Sequence, residues 1–513
     1  MAKNIGRNLL LSGASWFVPS VVAFIAVPIT VRGLGVAAYG VVALSGAVTG
    51  YLYVLDLGLG QGFVRYLSMF VSLRHGRAMR RLVTLLVAWF AMAGTLGAAL
   101  MWVLTPWLVS SFLKVPPGLA AESVIAFRLA GVAFGFGIVV SILSLIPTAF
   151  LRYDRVTQLS LTLGTATLAG PAVLVSLGYG LVPVMWFSVI ANAVACVLWG
   201  ALAAQLVGGV PQEGPELQEY WKGFLGFSFK NSVNRIWSVI QTPTSQLVVG
   251  ISGGVTASAY FQVPMLISGK VTALLYQLST VLLPTGSQMA AEGEHGALLS
   301  LYERSSRLFY VLNASVVGAV AVFSAPLLAH WIGPEFAQHG AVAFSFLTLA
   351  VGLNSVSMTA SQVNMALGRP GVNLAFSLAN SVINLGTVYT LTVLFGITGT
   401  ALSALLAAAV VPFFLHYSHR RILDSDSWEI FRDCYLRTSI VVSLVSGLAW
   451  FALRPLASGL LTTIILVGVT AAASVLLSAA SGSVTREDWS SLRAALLSRS
   501  GRRARSAEGP SDE

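Results

Sequence analysis

The chain has 513 residues, of which 56% are hydrophobic and only 10% charged, with a mean hydropathy of +0.81. A soluble domain carries about 25% charged residues, so the composition excludes a soluble protein with a single anchor and specifies a polytopic membrane protein. The formal charge of +11 would suit a nucleic-acid binder, but the basic residues fall as membrane flanks rather than as one patch, and no nucleic-acid partner is expected.

Apolar runs of about 20 residues predict an all-α fold with about fourteen membrane-spanning helices. In chain order they cover 9–31, 39–71, 82–105, 124–148, 158–177 and 181–204. After the polar stretch Gln205–Lys222, which holds Gly208, Gly209, Pro211, Gly214 and Pro215, come 223–249, 257–283, 308–329, 340–367, 371–395 and 397–415. Two more runs follow at 436–451 and 456–479. The expected organisation is an N-terminal six-helix lobe (1–204), a cytoplasmic linker (205–222) and a second six-helix lobe (223–421). A C-terminal amphipathic segment with a helix pair (422–480) and a polar, disordered cytoplasmic tail (481–513) complete it. Within the amphipathic segment, Asp424–Arg437 mixes Trp428, Ile430, Phe431 and Tyr435 with charges, as a short helix lying on the membrane face would.

Basic residues orient the spans. Lys3 and Arg7 precede the first, and Arg74, Arg77, Arg80 and Arg81 follow the second. Arg152, Arg155, Lys222, Arg304, Arg307, Arg369, Arg420 and Arg421 mark later loops on the same side, against Arg32, Lys114 and Arg454 opposite. The positive-inside rule makes the richer side, and both termini, cytoplasmic. The first run lacks a small-x-small cleavage site and reads as a retained anchor.

The charges inside the spans carry the functional signal. Arg65, Lys230, Arg235 and Lys270 lie within apolar runs, and Asp56 is the one acid at comparable depth. A charge in hydrocarbon costs about 3 kcal/mol or more, so it faces a polar cavity or a partner. Unmatched cations therefore point to a cavity for an anion. In the run from Gly223, Lys230, Asn234, Trp237 and Gln241 recur on one helical face, with Asn231, Arg235, Ser238 and Thr242 beside them. Pro243 removes a backbone donor and is expected to kink the helix there. At 1.5 Å per residue Arg235 lies about 18 Å inside its span. Lys270 is similarly deep, with Gln277 two turns further on. Arg65 and Lys230 lie nearer the cytoplasmic end, within snorkelling reach. Pairing with Asp56 or with helix carbonyls is the alternative use of these cations.

Two neutral rows follow. Asn354, Ser357, Ser361 and Asn364 share one face, and Asn373, Ser377, Asn380 and Asn384 another. Hydrogen bonding between helices is the simpler role; amides beside cations also suit a sugar headgroup. Arginine grips phosphate bidentately and lysine acts as a point charge. No GxxxxGK[ST] loop occurs, so ATP hydrolysis is not expected. The six histidines have no metal spacing, and Cys196 and Cys434 are too few for a disulfide framework. No cofactor, no metal and no enzymatic activity are expected. No outer loop is long enough for a catalytic domain, which disfavours a membrane glycan polymerase or ligase.

The stretch Leu34–Ser68 combines Gly35, Tyr39, Gly40, Asp56, Gly58, Leu59 and Arg65 in the pattern Gly-x-x-x-Tyr-Gly, then Asp-x-Gly-Leu, then arginine. With WIGPEF at Trp331–Phe336 and the stretch Pro284–Arg307 ending in LYERSSRLFY, it resembles the bacterial polysaccharide and O-antigen flippases. That group is allied to multidrug exporters and lipid II flippases. The resemblance implies two helical bundles around a central cavity that opens alternately to each side. It implies a polyprenyl-pyrophosphate-linked oligosaccharide as substrate, moved across the bacterial inner membrane. On this reading Arg235 and Lys270 hold the pyrophosphate and Arg65 and Lys230 assist. Asn234, Gln241 and Asn380 meet sugar or phosphate oxygens, while Asp56 and Pro243 serve structure or gating. Membrane lipids, a polysaccharide polymerase and export machinery are the expected partners. Many relatives carry an acid and a base late in the seventh span, where this chain has Ser245 and Gln246. A lipid II flippase and a cation-coupled drug exporter are the alternatives; scarce membrane acids disfavour the latter.

Overall fold

The structure, a computed structural model, describes residues 2–279, 282–293 and 295–484. The side chains of 2–17, 229–238, 240–242, 274, 277–278, 283–285, 291 and 295 lie outside the described residues, as does the expected tail from 485 onward. The described residues form helices and connecting turns, with no strand among them. This is the solution a bilayer imposes, because a helix satisfies its backbone polar groups internally.

In order the helices are α1 (Ala2–Leu34), α2 (Val36–Leu52), α3 (Leu59–Leu73), α4 (Gly76–Trp107), α5 (Pro117–Leu143), α6 (Leu145–Ala149), α7 (Tyr153–Ser176), α8 (Leu181–Gly208) and α9 (Gln218–Ser279). They continue as α10 (Leu282–Ala291), α11 (His295–Val322), α12 (Ser324–Trp331), α13 (Pro334–Ala366), α14 (Pro370–Ala408), α15 (Val411–Arg421), α16 (Ser427–Ile430), α17 (Arg437–Leu448) and α18 (Leu460–Ser478). Eleven described segments are long and apolar enough to cross a bilayer, and Val18–Leu34 is a shorter apolar helix. One of the eleven, Pro370–Arg421, bends at Gly396, where φ is 59°. The protein is therefore an all-α polytopic membrane protein, as its hydropathy predicts.

Contacts divide the chain into two compact units. The first holds Met1–Val263 with Val388–Thr400, and the second holds Pro264–Thr387 with Ala401–Glu513. In the first unit α4 packs along α5, α5 along α8, and α1 along α7. Its core is built on Phe63, Leu67 and Phe70 of α3, Leu82, Leu86 and Phe90 of α4, and Ile138, Ile142 and Trp199. In the second unit α11 packs on α13 and α18, and Tyr302, Val356, Val411, Phe414 and Tyr435 form a buried cluster.

Three departures from the expected elements have physical causes. The apolar run 39–71 is not one span. The chain turns at Leu57 and Gly58, both left-handed (φ 49° and 65°), so Arg65 sits on the separate fifteen-residue helix α3. Asp424–Arg437 is not a separate surface helix. Asp426 caps the backbone N–H of Trp428 at 2.9 Å, and the helix begun at Ser427 runs on to Leu456. The segment expected to link the lobes is anchored to α4. The Arg80 guanidinium donates to the carbonyls of Gly208 (3.2 Å) and Val210 (2.9 Å), the Arg77 N–H donates to Glu213 O, and Leu217 is buried.

α9 is interrupted at Gly254, where φ is +78° and ψ −172°. A β-carbon there would lie 2.8 Å from the Lys114 carbonyl oxygen, so the position demands glycine twice over. The backbone is helical through Pro243, which is buried, and the residue of α9 with non-helical φ/ψ is Gly254, about three turns later. α9 also lies closely against α2. A β-carbon on Gly40 would come within 1.8 Å of the Val255 carbonyl oxygen, and the Tyr51 hydroxyl bonds Thr244 at 2.7 Å. Gly40, part of the Tyr-Gly motif, is thus a backbone-contact residue.

Candidate functional site

Each unit holds one of the described cations that the sequence singles out. In the first, Arg65 projects from α3 into an exposed position with its guanidinium 4.4 Å from the Phe227 ring centroid and 5.9 Å from that of Tyr66. A cation over an aromatic face is attracted by the ring quadrupole, which orients the group without neutralising it. Among the described residues no acid pairs with Arg65. Phe227 belongs to α9, three residues before Lys230, so the ring that orients Arg65 sits on the polar-faced stretch of α9.

In the second unit Lys270 lies half-buried on the last part of α9. It makes no hydrogen bond or ion pair among the described residues. A charged side chain inside a membrane segment generally faces a polar cavity or a partner. The side chains of Lys230, Asn234, Arg235 and Gln241, and those of Asn231, Trp237, Ser238, Thr242 and Gln277, lie outside the described residues. Asp56 ends the short helix Tyr53–Asp56, half-buried and engaged by the protein. Pro243 is buried beside Gly50 of α2, in the same helical stretch as the Tyr51–Thr244 bond.

The two asparagine rows meet. Asn380 donates to Asn354 Oδ1 at 3.0 Å and to the Ala407 carbonyl at 2.9 Å. Asn373 donates to the Ser361 carbonyl at 2.9 Å, and Asn364 donates to Asn373 Oδ1 and Ser418 Oγ, each at 3.1 Å. Asn384 donates to Ser403 Oγ at 3.2 Å. The rows therefore form a hydrogen-bond ladder between α13, α14 and α15. Asn380 has both amide hydrogens on protein acceptors, leaving its carbonyl oxygen for any other partner.

Lys114 lies in the loop before α5, outside any helical periodicity, and the sequence offers no signal for it beyond its charge. Its ammonium donates to the Ser252 carbonyl at 2.8 Å, next to the Gly254 break. Lys114, Ser252, Tyr389, Thr392 and Gly396 border a cavity of about 370 Å³ in the first unit.

No family model matches the chain. A protein of Shigella flexneri, provisionally named an O-antigen transporter, is 19% identical over 430 residues, covering 82% of this chain and 98% of its own. Among solved structures, the lipid II flippase MurJ in an inward closed conformation aligns with a TM-score of 0.65 at 14% identity, over 90% of this chain and 98% of its own. An inward-facing multidrug-resistance MATE transporter of the MOP superfamily aligns with a TM-score of 0.63 at 15% identity, over 82% and 95%. The chain shares its fold with these two solved structures. At these identities the likeness fixes the architecture, and that architecture agrees with the all-helical, multi-span reading of the hydropathy.

Proposed function

We propose that the protein is a flippase of the bacterial inner membrane, with both termini cytoplasmic, that moves a polyprenyl-pyrophosphate-linked oligosaccharide to the outer leaflet. The observation that carries this is Lys270, which lies in a candidate membrane span and has no acidic partner among the described residues; Arg65 on α3 likewise has none there. Cation-coupled exporters depend on membrane carboxylates to carry protons or sodium, whereas unneutralised cations favour an anionic cargo. The likeness to a protein named for O-antigen transport and to a lipid II flippase supports the same cargo class.

In this reading Arg235 and Lys270 hold the pyrophosphate and Arg65 and Lys230 assist from the cytoplasmic side. Asn234 and Gln241 meet sugar or phosphate oxygens, and Asn380, whose free group is its carbonyl oxygen, accepts from a sugar hydroxyl. The six-helix lobes 1–204 and 223–421 rock about the cargo in alternating access while the polyprenyl chain stays in lipid. A negative-inside potential favours outward movement of an anion by about 2.3 kcal/mol per charge per 100 mV. No bond is made or broken. A polysaccharide polymerase and export machinery would receive the product for O-antigen, capsule or exopolysaccharide synthesis. A lipid II flippase is the second reading, favoured by the 90% of this chain that MurJ covers.

The test is reconstitution of the full chain into liposomes with a fluorescent polyprenyl-pyrophosphate glycan on one leaflet. An impermeant lectin reports the glycan reaching the other leaflet. The protein should speed this transfer, and Lys270→Ala should return it to the protein-free rate. Equal rates with and without protein, in the presence of a membrane potential, would refute the proposal.

A further inference from the structure

In the second unit, α11, α13, α15 and the helix begun at Ser427 border a cavity of about 480 Å³. Its chemistry is graded from end to end. Val356, Val411 and Leu415 supply apolar lining, while His416 and Arg420, toward the C-terminal end of α15, and Trp428 supply a polar end, here called its mouth. Along α15 the lining runs from Val411 to Arg420, nine residue steps or about 14 Å at the helical rise. That is close to half of a hydrocarbon core about 30 Å thick, the depth of one leaflet.

The mouth is suited to an anionic head. Arg420 donates to Asp426 Oδ1 at 3.0 Å; this bond holds the guanidinium in place and leaves other N–H donors of its five. His416, one helical turn before Arg420 on the same face, is exposed and has no hydrogen bond or ion pair among the described residues. Arg369 and Arg421 stand on the same side, with Arg369 donating to the Arg421 carbonyl at 3.2 Å. The acids nearby are Asp424, Asp426 and Glu429, of which Asp426 is taken by Arg420. His419 is committed to the fold, its ring nitrogens bonded to the Tyr302 hydroxyl (2.7 Å) and Ser427 Oγ (3.2 Å). Trp428 is 63% exposed and stacks on Phe431, the disposition of an aromatic side chain at the membrane–water interface.

We propose that this cavity binds an anionic glycerophospholipid from the leaflet at the Arg420 end. One acyl chain lies against Val411, Leu415 and Val356, and the phosphate sits at His416 and Arg420. The choice of occupant rests on charge complementarity: Arg420 and His416 beside an apolar lining match a phosphate joined to acyl chains. Lys270 and Asn380 do not line this cavity, and the proposal does not depend on the identity of the cargo.

The experiment uses the full chain in liposomes of equal phosphatidylglycerol and phosphatidylcholine, released gently and read by native mass spectrometry. A photoactivatable phosphatidylglycerol with a label on its acyl chain maps the contact in parallel. The wild type should retain phosphatidylglycerol over phosphatidylcholine by about fivefold, with label on peptides spanning 411–435. His416→Glu, which leaves the Arg420–Asp426 pair intact, and Arg420→Gln should each bring the ratio close to one. Lys114→Met, a cation that lines no part of this cavity, should leave it unchanged. Retention unaltered in both mouth variants, label confined to other helices, or displacement of the label by polyprenyl phosphate would each overturn the proposal. Glycan transfer is not the readout, so the lipid site and the flippase reading fail separately.

Discussion

Replacing Asn380 by alanine separates a structural role from a transport role. The substitution removes two hydrogen bonds, at 3.0 Å to Asn354 Oδ1 and 2.9 Å to the Ala407 carbonyl. Hydrogen bonds between membrane helices are worth about 0.6 kcal/mol on average and at most about 1.7 kcal/mol. Two of them place the loss at about 1–2 kcal/mol. Asn380 is half-buried, so the two acceptors left behind recover only part of it from water. Asn380→Asp is the sharper variant, because it turns a carboxylate oxygen toward two acceptors and should destabilise more than alanine does. Reversible unfolding in bicelles measures the loss, and glycan transfer normalised to folded protein measures the function. Asn380→Ala should be less stable by the amount given and transfer within about twofold of wild type. Unchanged stability, or transfer abolished at unchanged stability, would refute the ladder as the residue's main role.

The close approach of α2 to α9 makes Gly40→Ala costly by about 1–3 kcal/mol, since the new β-carbon meets the Val255 carbonyl, which cannot rotate away; yield of folded protein by fluorescence-detected chromatography checks this. Gly254→Ala should cost about 1–2 kcal/mol, combining a left-handed φ with the Lys114 carbonyl at 2.8 Å; the same assay serves. Lys114→Met removes an exposed bond to the Ser252 carbonyl and should lower stability by less than about 1 kcal/mol, measured by unfolding in bicelles. Arg80→Ala releases the carbonyls of Gly208 and Val210, so limited proteolysis should cut the 208–217 segment severalfold faster than in wild type.

Much of the architecture is legible in the chain because a bilayer admits few solutions. Apolar runs of sufficient length must be helices, and the spans follow. The asparagine rows were also legible as faces, since residues three and four apart share one side of a helix. Their mutual pairing was not, because spacing along one helix says nothing of which neighbour it meets. Hydropathy likewise misses the turn at Leu57–Gly58, where a left-handed backbone breaks a run that stays apolar throughout. That turn moves Arg65 from the end of a long span to a short helix, where Phe227 orients it. Lys114 gave no periodic signal, since its role depends on a loop meeting the break in α9. The docking of the linker was hidden for a related reason. Composition marks the segment as polar and rich in glycine and proline, but does not show that its carbonyls are the acceptors Arg80 uses.

Native mass spectrometry of the protein purified gently from its own host, beside the Arg235→Ala, Lys270→Ala double variant, tests the anionic-cargo account most directly. The wild type should carry a polyprenyl-pyrophosphate-linked glycan, and the folded double variant should have lost it. A glycan retained equally by both would contradict the assignment of Arg235 and Lys270, and no such glycan on either would contradict the cargo itself.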